Sequence, residues 1–192
     1  MSLMVGVDEV GRGPLAGPVV TCAVLWPDDH GIADLDDSKK LSAKKRELLY
    51  DFIINNVEDY AISWVDEKEI DEKGIQPANY KVFHNSIEKL EKTPNIILVD
   101  GNRFEKYKDI KHECIIKGDS KYYSIACASI LAKVEHDRYI KKLVEENNEI
   151  EKYDLLNNMG YGTKKHIEAI KLYGYSDYHR RTYKIKSLKI EK

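Results

Sequence analysis

Long apolar runs and cysteines are both scarce in this sequence. No stretch approaches the roughly 20 apolar residues of a membrane-spanning helix, and the N-terminus lacks the basic and apolar regions of a signal peptide. The three cysteines, Cys22, Cys114 and Cys127, are odd in number and far apart, which argues against a disulfide framework or a CxxC metal site. We therefore expect buried thiols in a cytoplasmic protein that does not associate with membranes.

A strong overall charge is also missing. The formal net charge is −2 although 33% of the 192 residues are charged, so the charge neither requires nor excludes a nucleic-acid partner. The length suits one large domain, and there is no internal repeat, low-complexity tract or Pro/Gly linker that would divide it. We expect residues 1–192 to form a single domain, and nothing in the sequence requires more than a monomer.

The apolar spacing predicts a mixture of strands and helices. Alternating or continuous apolar residues predict five strands, near 5–9, 19–26, 60–65, 95–100 and 113–116. Helical spacing, with Ser42, Asp66 and Thr163 as N-caps, predicts helices at 43–53, 67–70, 78–90, 124–146 and 164–173. We predict a loop at 157–162 and a basic, half-ordered tail at 178–192.

Acidic residues lie at the ends of three predicted strands. Asp8 and Glu9 close the first strand, while Asp100 and Asp119 follow the two later apolar strands. Converging carboxylates repel one another unless a cation compensates them, and oxygen-only ligands suit Mg²⁺ or Mn²⁺. Two such ions about 3.5–4 Å apart are the usual arrangement for phosphodiester hydrolysis. The pattern predicts metal-dependent phosphoryl transfer to water.

Two considerations weigh on this prediction. Single acids are more often helix caps, turn formers or solubilising charges, and we treat the remaining acids in that way by default, among them Asp36, Asp37, Asp66, Glu135 and Asp137. Successive side chains of a strand also face opposite ways, so a regular strand cannot direct both Asp8 and Glu9 into one site. Either the pleat breaks there, or Glu9 acts through its backbone carbonyl or a water molecule.

The glycine-rich segment beside the two acids supports a ligand site. Gly11 and Gly13 allow backbone N–H groups to approach a ligand closely, and Arg12 between them can bind an anion. A lone GxG triplet is weak evidence, because an ordinary turn has the same pattern.

The segment 7–20, Val-Asp-Glu-Val-Gly-Arg-Gly-Pro-Leu-Ala-Gly-Pro-Val-Val, is the longest of several recognisable motifs. The others are 37–42, 99–102, 117–120, 124–134 and 160–163, followed by His166. Together these motifs extend from residue 5 to about 183 and closely resemble type 2 ribonucleases H, the bacterial ribonuclease HII group. An aspartate at 119, where the related HIII type has glutamate, favours HII.

The resemblance implies an α/β fold of the ribonuclease H type. A mixed central sheet would be flanked by helices, and a small helical C-terminal part, about 140–192, would border the substrate groove. The four acidic positions of the family correspond to Asp8, Glu9, Asp100 and Asp119 here, as catalytic residues and ligands of two Mg²⁺ or Mn²⁺ ions.

The resemblance also implies a substrate and the residues that read it. Gly11, Arg12 and Gly13 would recognise the 2′-hydroxyl at an RNA–DNA junction, and the ring of Tyr161 would pack on the adjacent deoxyribose; only the 2′-hydroxyl distinguishes RNA from DNA at a given nucleotide. The expected substrates are RNA–DNA hybrids and duplex DNA that contains single ribonucleotides, cut on the 5′ side to leave 3′-OH and 5′-phosphate ends. Such an enzyme would serve ribonucleotide excision repair and DNA replication, with a sliding clamp or another replication protein as candidate partner.

Several assignments stay open at this stage. Lys39 is a candidate phosphate contact, although it and Lys40 can equally be solvated. The cluster 178–183, with His179, Arg180 and Arg181, either binds the duplex backbone or packs the terminus, and we expect His166 to be structural. A DNA-specific nuclease of the same fold, or a silent nucleic-acid-binding module, are the alternative functions.

Overall fold

A five-stranded mixed sheet forms the centre of the molecule in the computed structural model, which describes residues 3–26, 41–186 and 188. The strands are β1 (Met4–Val10), β2 (Val19–Leu25), β3 (Asp59–Val65), β4 (Ile96–Asp100) and β5 (Lys111–Ile115). Their order across the sheet is β3-β2-β1-β4-β5. β2 pairs antiparallel with β1 and β3, whereas β4 pairs parallel with β1 and β5. The predicted mixed sheet is confirmed.

The helices in the described residues follow the predicted pattern with shifted ends. They are α1 (Ala43–Asn56), α2 (Glu67–Lys73), α3 (Ile75–Glu88), α4 (Tyr123–Glu146), α5 (Leu155–Asn158) and α6 (Lys164–Tyr173), with 3₁₀ segments at Gly118–Ser120 and Asn148–Tyr153. All three predicted caps are confirmed, because Ser42, Asp66 and Thr163 each accept a backbone N–H from the residue three positions later. None of the helices in these ranges is long and apolar enough to cross a membrane.

Helix α4 covers one face of the sheet and α3 the other. The N-terminal half of α4 is buried against β1 and β2, in a core that includes Cys22, Ile130 and Leu131. Gly6 of β1 makes this close packing possible, because a Cβ built there would lie 2.4 Å from the backbone nitrogen of Ile125. This close approach brings the middle of the helix beside the carboxyl end of β1.

The second half of α4 supports a separate apolar cluster. It passes through residue 140 without interruption and packs with α5, α6 and the chain beyond them, through residues such as Ile140, Tyr153, Leu155 and Ile170. Ala16, from the segment that follows β1, belongs to the same cluster. The C-terminal region is therefore fixed against the glycine-rich segment near the N-terminus.

Three local predictions were wrong. The strand at 113–116 was expected to be apolar and buried, but β5 is the exposed edge strand, so Cys114 is exposed while Cys22 and Cys127 are buried free thiols. Asn157 and Asn158 belong to the short helix α5 and not to a loop. The ends of α3 fall at Ile75 and Glu88, three and two residues before the predicted ends at 78 and 90.

Candidate active site

A fork in the sheet creates the cavity at the end of β1. The pairing of β1 with β4 ends at Val7 and Val99, whereas its pairing with β2 continues to Val10 and Val20. The residues from Asp8 onward therefore have a strand partner on one side only. The fork adjoins a cavity of about 410 Å³ lined by Asp8, Glu9, Val10, Gly11, Arg12, Gly13, Arg46, Ser129, Lys133 and Tyr161.

The two adjacent acids line this cavity together without a break in the pleat. The register with β2 stays regular through both residues. The Asp8 carboxylate accepts the backbone N–H of the next residue, Glu9, at 2.7 Å, and it also accepts a hydrogen bond from the Ser129 side chain. The Glu9 carboxylate pairs with the Arg12 guanidinium at 3.3 Å. The strand therefore gives no sign of a broken pleat, the first of the routes considered for Glu9.

Both carboxyl groups are held in an environment that disfavours their charge. Burial, followed by repulsion from Glu9 and Asp100, raises the pKa of Asp8 well above its usual range. Burial also raises the pKa of Glu9 to about 7, although the nearby Arg12 guanidinium opposes this shift. The cavity therefore contains carboxylates whose negative charge lacks sufficient compensation.

Asp100 and Asp119 lie at the same edge of the sheet, outside the lining of the cavity. Asp100 ends β4, and its Oδ1 accepts the Gly118 backbone N–H at 2.7 Å. Asp119 is the next residue, in the 3₁₀ turn that follows β5. As the side chains stand, no three His, Cys, Asp or Glu residues of the described ranges are grouped closely enough to hold a metal ion.

The four acids nevertheless fit a divalent cation by their chemistry. Every candidate donor is a carboxylate oxygen, which is the ligand type that Mg²⁺ and Mn²⁺ prefer. Asp8 already experiences the charges of Glu9 and Asp100, and a cation would relieve the repulsion that raises its pKa. Side-chain rotation would be required to bring these acids around one ion.

The glycine-rich segment and Tyr161 line the cavity side by side. Gly11 has φ +99°, and a Cβ there would lie 2.5 Å from the Pro18 carbonyl oxygen, so only glycine fits. A Cβ at Gly13 would lie 3.4 Å from Cε1 of Tyr161, which places the tyrosine ring directly against this glycine. Tyr161 is 44% exposed, and the Arg12 side chain is 48% exposed. Both side chains are available to a ligand in the groove.

Arg180 supports this segment from behind. Its side chain is fully buried, and its Nη2 donates to the carbonyl oxygens of Gly11 at 2.6 Å and Pro18 at 3.0 Å. Its Nη1 donates to the Arg12 carbonyl oxygen at 3.1 Å, and the Tyr183 hydroxyl donates to the same oxygen at 2.7 Å. The sequence left open whether this basic cluster binds a duplex; Arg180 is instead an internal anchor of the glycine-rich segment.

Other cationic residues at the cavity were missed by the sequence analysis. Arg46 from α1 and Lys133 from α4 line it, and both approach Asp137, Lys133 at 2.7 Å and Arg46 at 3.7 Å. Asp137 was expected to be a surface charge or cap, but it is a partly buried member of this ion-pair network. The sequence did contain a signal for this ion pair, because Asp137 follows Lys133 by four residues and such residues are neighbours on one face of a helix. Lys39 lies outside the described residues.

Comparisons with known proteins agree with this geometry. The family model described as Ribonuclease HII matches residues 5–186. The ribonuclease HII of Christiangramia forsetii is 47% identical over 180 residues, which cover 94% of this chain and 89% of that protein. The similarity therefore includes the cavity, the glycine-rich segment and the C-terminal anchor.

Two solved structures of archaeal enzymes also align over nearly the whole chain. The crystal structure of ribonuclease H2 from Pyrococcus horikoshii has a TM-score of 0.76 at 28% identity, covering 94% of this chain and 93% of that one. The ribonuclease HII in the complex with PCNA from Archaeoglobus fulgidus has a TM-score of 0.77 at 25% identity and covers 98% of both chains.

Proposed function

Because the chain belongs to the ribonuclease HII family, whose members cut the RNA strand of RNA–DNA hybrids, we propose that it also cuts on the 5′ side of single ribonucleotides embedded in duplex DNA. One observation carries this proposal: the buried acids Asp8 and Glu9 line the same cavity as Gly11, Arg12, Gly13 and Tyr161. The acids that are suited to hydrolysis thus lie beside the groups that are suited to recognising the sugar of a nucleotide.

We assign the cofactor site to Asp8, Glu9, Asp100 and Asp119. Two Mg²⁺ or Mn²⁺ ions bound there would supply an activated water and would stabilise the negative charge on the leaving oxygen. The protein's own part is to confine the carboxylates: the Ser129 side chain and the Glu9 N–H hold Asp8, and the Gly118 N–H holds Asp100. Arg46 and Lys133 give the cavity a cationic wall suited to phosphate oxygens.

Recognition of the ribonucleotide would depend on the cavity residues that directly follow the two acids, with Tyr161 beside them. The carbonyl groups of Gly11 and Arg12 are bonded to the buried Arg180, so the segment keeps a fixed shape beside the groove. The Arg12 guanidinium contacts Glu9 at 3.3 Å and the Gln76 Oε1 at 3.2 Å, which links the reading loop to the acidic site. The Tyr161 ring stands against Gly13, where it can pack on the deoxyribose next to the 2′-hydroxyl.

A cleavage comparison on three end-labelled duplexes tests the proposal. We expect RNA–DNA hybrid and DNA with one ribonucleotide to be cut in Mg²⁺ and in Mn²⁺, with no cleavage when EDTA replaces the metal, and all-DNA duplex to stay intact. Cleavage of the all-DNA duplex would indicate a DNA nuclease, and an intact single-ribonucleotide duplex would refute the junction assignment.

The chemistry of the ends provides a second test. Hydrolysis by water does not need the 2′-hydroxyl as nucleophile, so we expect 3′-OH and 5′-phosphate products. Detection of a 2′,3′-cyclic phosphate by mass spectrometry would contradict this mechanism.

We further propose that the protein acts as a monomer and that a sliding clamp is its replication partner. The support is the similarity to the Archaeoglobus fulgidus enzyme, which was solved in complex with PCNA. Co-elution of the protein with the sliding clamp of its own cell in size-exclusion chromatography tests the interaction, and the elution volume of the protein alone tests the monomer. Separate elution at micromolar concentrations would contradict the clamp assignment.

A further inference from the structure

Two buried histidines lie behind Tyr161, outside the cavity. His166 belongs to α6 and His179 to the segment after it, and both have essentially no exposed surface. Their Nε2 atoms are 2.9 Å apart, and the edge of Tyr153 packs against both rings. A hydrogen bond between two Nε2 atoms requires one ring to donate and the other to accept.

The surrounding hydrogen bonds allow only one arrangement of protons. The Ser176 backbone N–H points to Nδ1 of His179 at 3.0 Å, so this nitrogen must be the acceptor. The proton of the neutral His179 ring is then on Nε2 and is donated to Nε2 of His166. That leaves the His166 proton on Nδ1, which donates to the Tyr161 carbonyl oxygen at 2.9 Å. The result is a directional relay from Ser176 to Tyr161.

The groups around the pair keep both rings neutral. Burial lowers the pKa of His166, although its hydrogen bond to the Tyr161 carbonyl and the charge of Asp154 act in the opposite direction. Burial, His166 and the cationic Arg181 together lower the pKa of His179 to about 4. The other ring neighbours are Tyr153 and Tyr175. A proton on Nδ1 of His179 would face the Ser176 N–H, and a proton on Nε2 of His166 would face the N–H of His179. The relay therefore requires both rings to be neutral.

The relay ends at the backbone of Tyr161, the residue that stands against Gly13. The Tyr161 carbonyl also accepts the Thr163 N–H at 2.9 Å, and the Tyr161 N–H donates to Asn158. On the other side, Leu15 donates its N–H to the Gly160 carbonyl at 2.7 Å and accepts the Arg180 N–H at 2.8 Å. The tyrosine loop and the glycine-rich segment are thereby tied to adjacent residues of one chain segment, His179 and Arg180.

We propose that His166 and His179 are positioning residues whose directional hydrogen bonds hold Tyr161 opposite Gly13, so that they serve discrimination of the sugar at an RNA–DNA junction more than the hydrolysis step. The inference rests on the proposed role of Tyr161 as the sugar reader. The histidines act through Tyr161 and do not touch the substrate, and a small displacement of a positioning group is sufficient to reduce the rate strongly.

Side-chain substitutions can remove or restore single members of the relay. His179→Leu removes the donor to His166, while His179→Gln retains an N–H at the Nε2 position. His166→Leu removes the donor to Tyr161, while His166→Asn retains an N–H at the Nδ1 position. His84→Leu is the matched control, because His84 also contacts a backbone carbonyl, that of Glu105 at 2.8 Å, but on another part of the molecule.

The activity readout is kcat/KM on single-ribonucleotide DNA divided by kcat/KM on a long RNA–DNA hybrid. We expect this ratio to fall by about tenfold or more in the two leucine variants, to recover toward the wild-type value in His179→Gln and His166→Asn, and to stay unchanged in His84→Leu. An unchanged ratio in folded leucine variants would overturn the proposal, and so would failure of both polar variants to restore it.

A measurement on the unmodified protein separates this proposal from the proposed function. The ¹⁵N chemical shifts of the histidine rings report which nitrogen is protonated, and we expect Nδ1–H for His166 and Nε2–H for His179 at pH 7. The opposite tautomers or a charged ring would overturn the relay, whatever the enzyme cleaves and even if a leucine variant does not fold. If the tautomers are as expected but wild type leaves single-ribonucleotide DNA intact, the proposed function has failed, and the discrimination role of the relay falls with it.

Discussion

The Asp8 carboxylate is nearly enclosed, with 6% of the residue exposed, between the Ser129 side chain, the Glu9 backbone and two other acids. Its raised pKa shows that the fold opposes the charged form that a metal ligand needs. A buried carboxylate of this kind reduces stability in the metal-free protein and becomes favourable once a cation is bound. As the proposed metal ligand, Asp8 would have opposite effects on stability and on activity.

Asp8→Asn separates these two effects. The amide retains the shape but loses the charge, so we expect turnover in Mg²⁺ to fall by about 10³-fold or more, which corresponds to about 4 kcal/mol. Hybrid binding measured by fluorescence anisotropy should stay largely intact, and the metal-free protein should melt at a higher temperature. Asp109→Asn is the control, because this side chain is fully exposed. Retained cleavage would contradict the assignment of Asp8 as a ligand.

Arg12 and Tyr161 are the residues whose removal should change the substrate preference. We expect Arg12→Ala and Tyr161→Ala to lower kcat/KM on single-ribonucleotide DNA by about tenfold more than on a long hybrid, because a long hybrid offers many positions for cleavage. Tyr173→Ala removes a comparably exposed tyrosine from α6 and serves as control. Equal activity of wild type and both variants on the single-ribonucleotide substrate would remove the reader assignment.

Single residues differ in how far the sequence could predict them. The acids and the glycine-rich segment are adjacent in the chain, so local chemistry was sufficient to select Asp8, Glu9 and Gly11. Tyr161 was selected only through the family resemblance, because nothing local distinguishes it from the other 12 of the 13 tyrosines. Arg46 and Ser129 reach the cavity from two different helices, α1 and α4. Their position depends on how these helices pack, which a local sequence pattern does not predict.

At the scale of elements, the segment 176–183 connects the loop of Tyr161 with the glycine-rich segment. His179 reaches the tyrosine loop through His166, and Arg180 holds the carbonyl groups of the glycine-rich segment. Arg180 lacks a carboxylate within ion-pair distance among the described residues, so backbone carbonyls satisfy most of its donors. Its replacement would leave several buried acceptors unpaired.

Arg180→Met and Arg181→Met form a matched pair that tests this anchor. We expect Arg180→Met to lower the free energy of unfolding by about 3 kcal/mol, because the carbonyl groups of Gly11, Gly17 and Pro18 would lose their donor inside the protein. Arg181→Met should change it by less than about 0.5 kcal/mol, because the Arg181 side chain is 62% exposed. Urea denaturation followed by circular dichroism measures both, and equal stability of the two variants would contradict the anchor.

The elements themselves were predicted best where a local signal existed. The caps Ser42, Asp66 and Thr163 follow directly from side-chain hydrogen bonding near a helix start. The exposure of β5 was missed because the prediction relied on the apolar end of the strand around Ile115 and left out Lys111 and His112, which begin it. Its place at the sheet edge is set by the order of strand pairing. Asn157 and Asn158 have the local composition of a loop, but they end the short helix α5, whose Leu155 is packed in the C-terminal cluster.

For the molecule as a whole, the raised pKa values of the two cavity acids, Asp8 and Glu9, make stability depend on pH in a defined direction. A Glu9 pKa of about 7 in the fold, above its ordinary value of 4.5, means that the folded state binds more protons than the unfolded state in this interval. The contribution of Glu9 to the free energy of unfolding is fully present below pH 4.5 and is lost as the pH rises through 7. His179 acts oppositely: its pKa of about 4 lies below the ordinary 6.5, so its contribution is lost as the pH falls from 6.5 through 4.

A divalent metal should therefore stabilise the protein more in alkaline than in acidic solution. At pH 8 the acids are charged and repel one another, so we expect 10 mM Mg²⁺ to raise Tm by about 4 °C or more. At pH 5 the protonated carboxyl groups bind metal poorly, and the increase should be close to zero. Differential scanning calorimetry of wild type and Asp8→Asn provides the comparison. An equal increase at both pH values would argue against binding at these acids.

The overall topology lay beyond local sequence reasoning. The strand order β3-β2-β1-β4-β5 places β1, the first strand in the chain, at the centre of the sheet. Periodicity can identify strands, but it does not show which strands pair with each other. Only the family resemblance implied a mixed sheet with a helical C-terminal part. The fork between β2 and β4, which explains how Asp8 and Glu9 share a cavity, is a property of that arrangement.

The bonds from Arg180 to Gly11 join positions 169 residues apart in the chain, which has a consequence for synthesis on the ribosome. At about 5–20 residues per second, the glycine-rich segment is made roughly 10 to 30 s before the arginine that holds its carbonyl groups. From residue 119 onward the nascent chain contains all four acids, but until residue 180 is added it lacks the bonds from Arg180 to the glycine-rich segment. The loop that is synthesised first is therefore among the last parts to be fixed, and a chain interrupted before residue 180 has the acids of a nuclease without its completed groove.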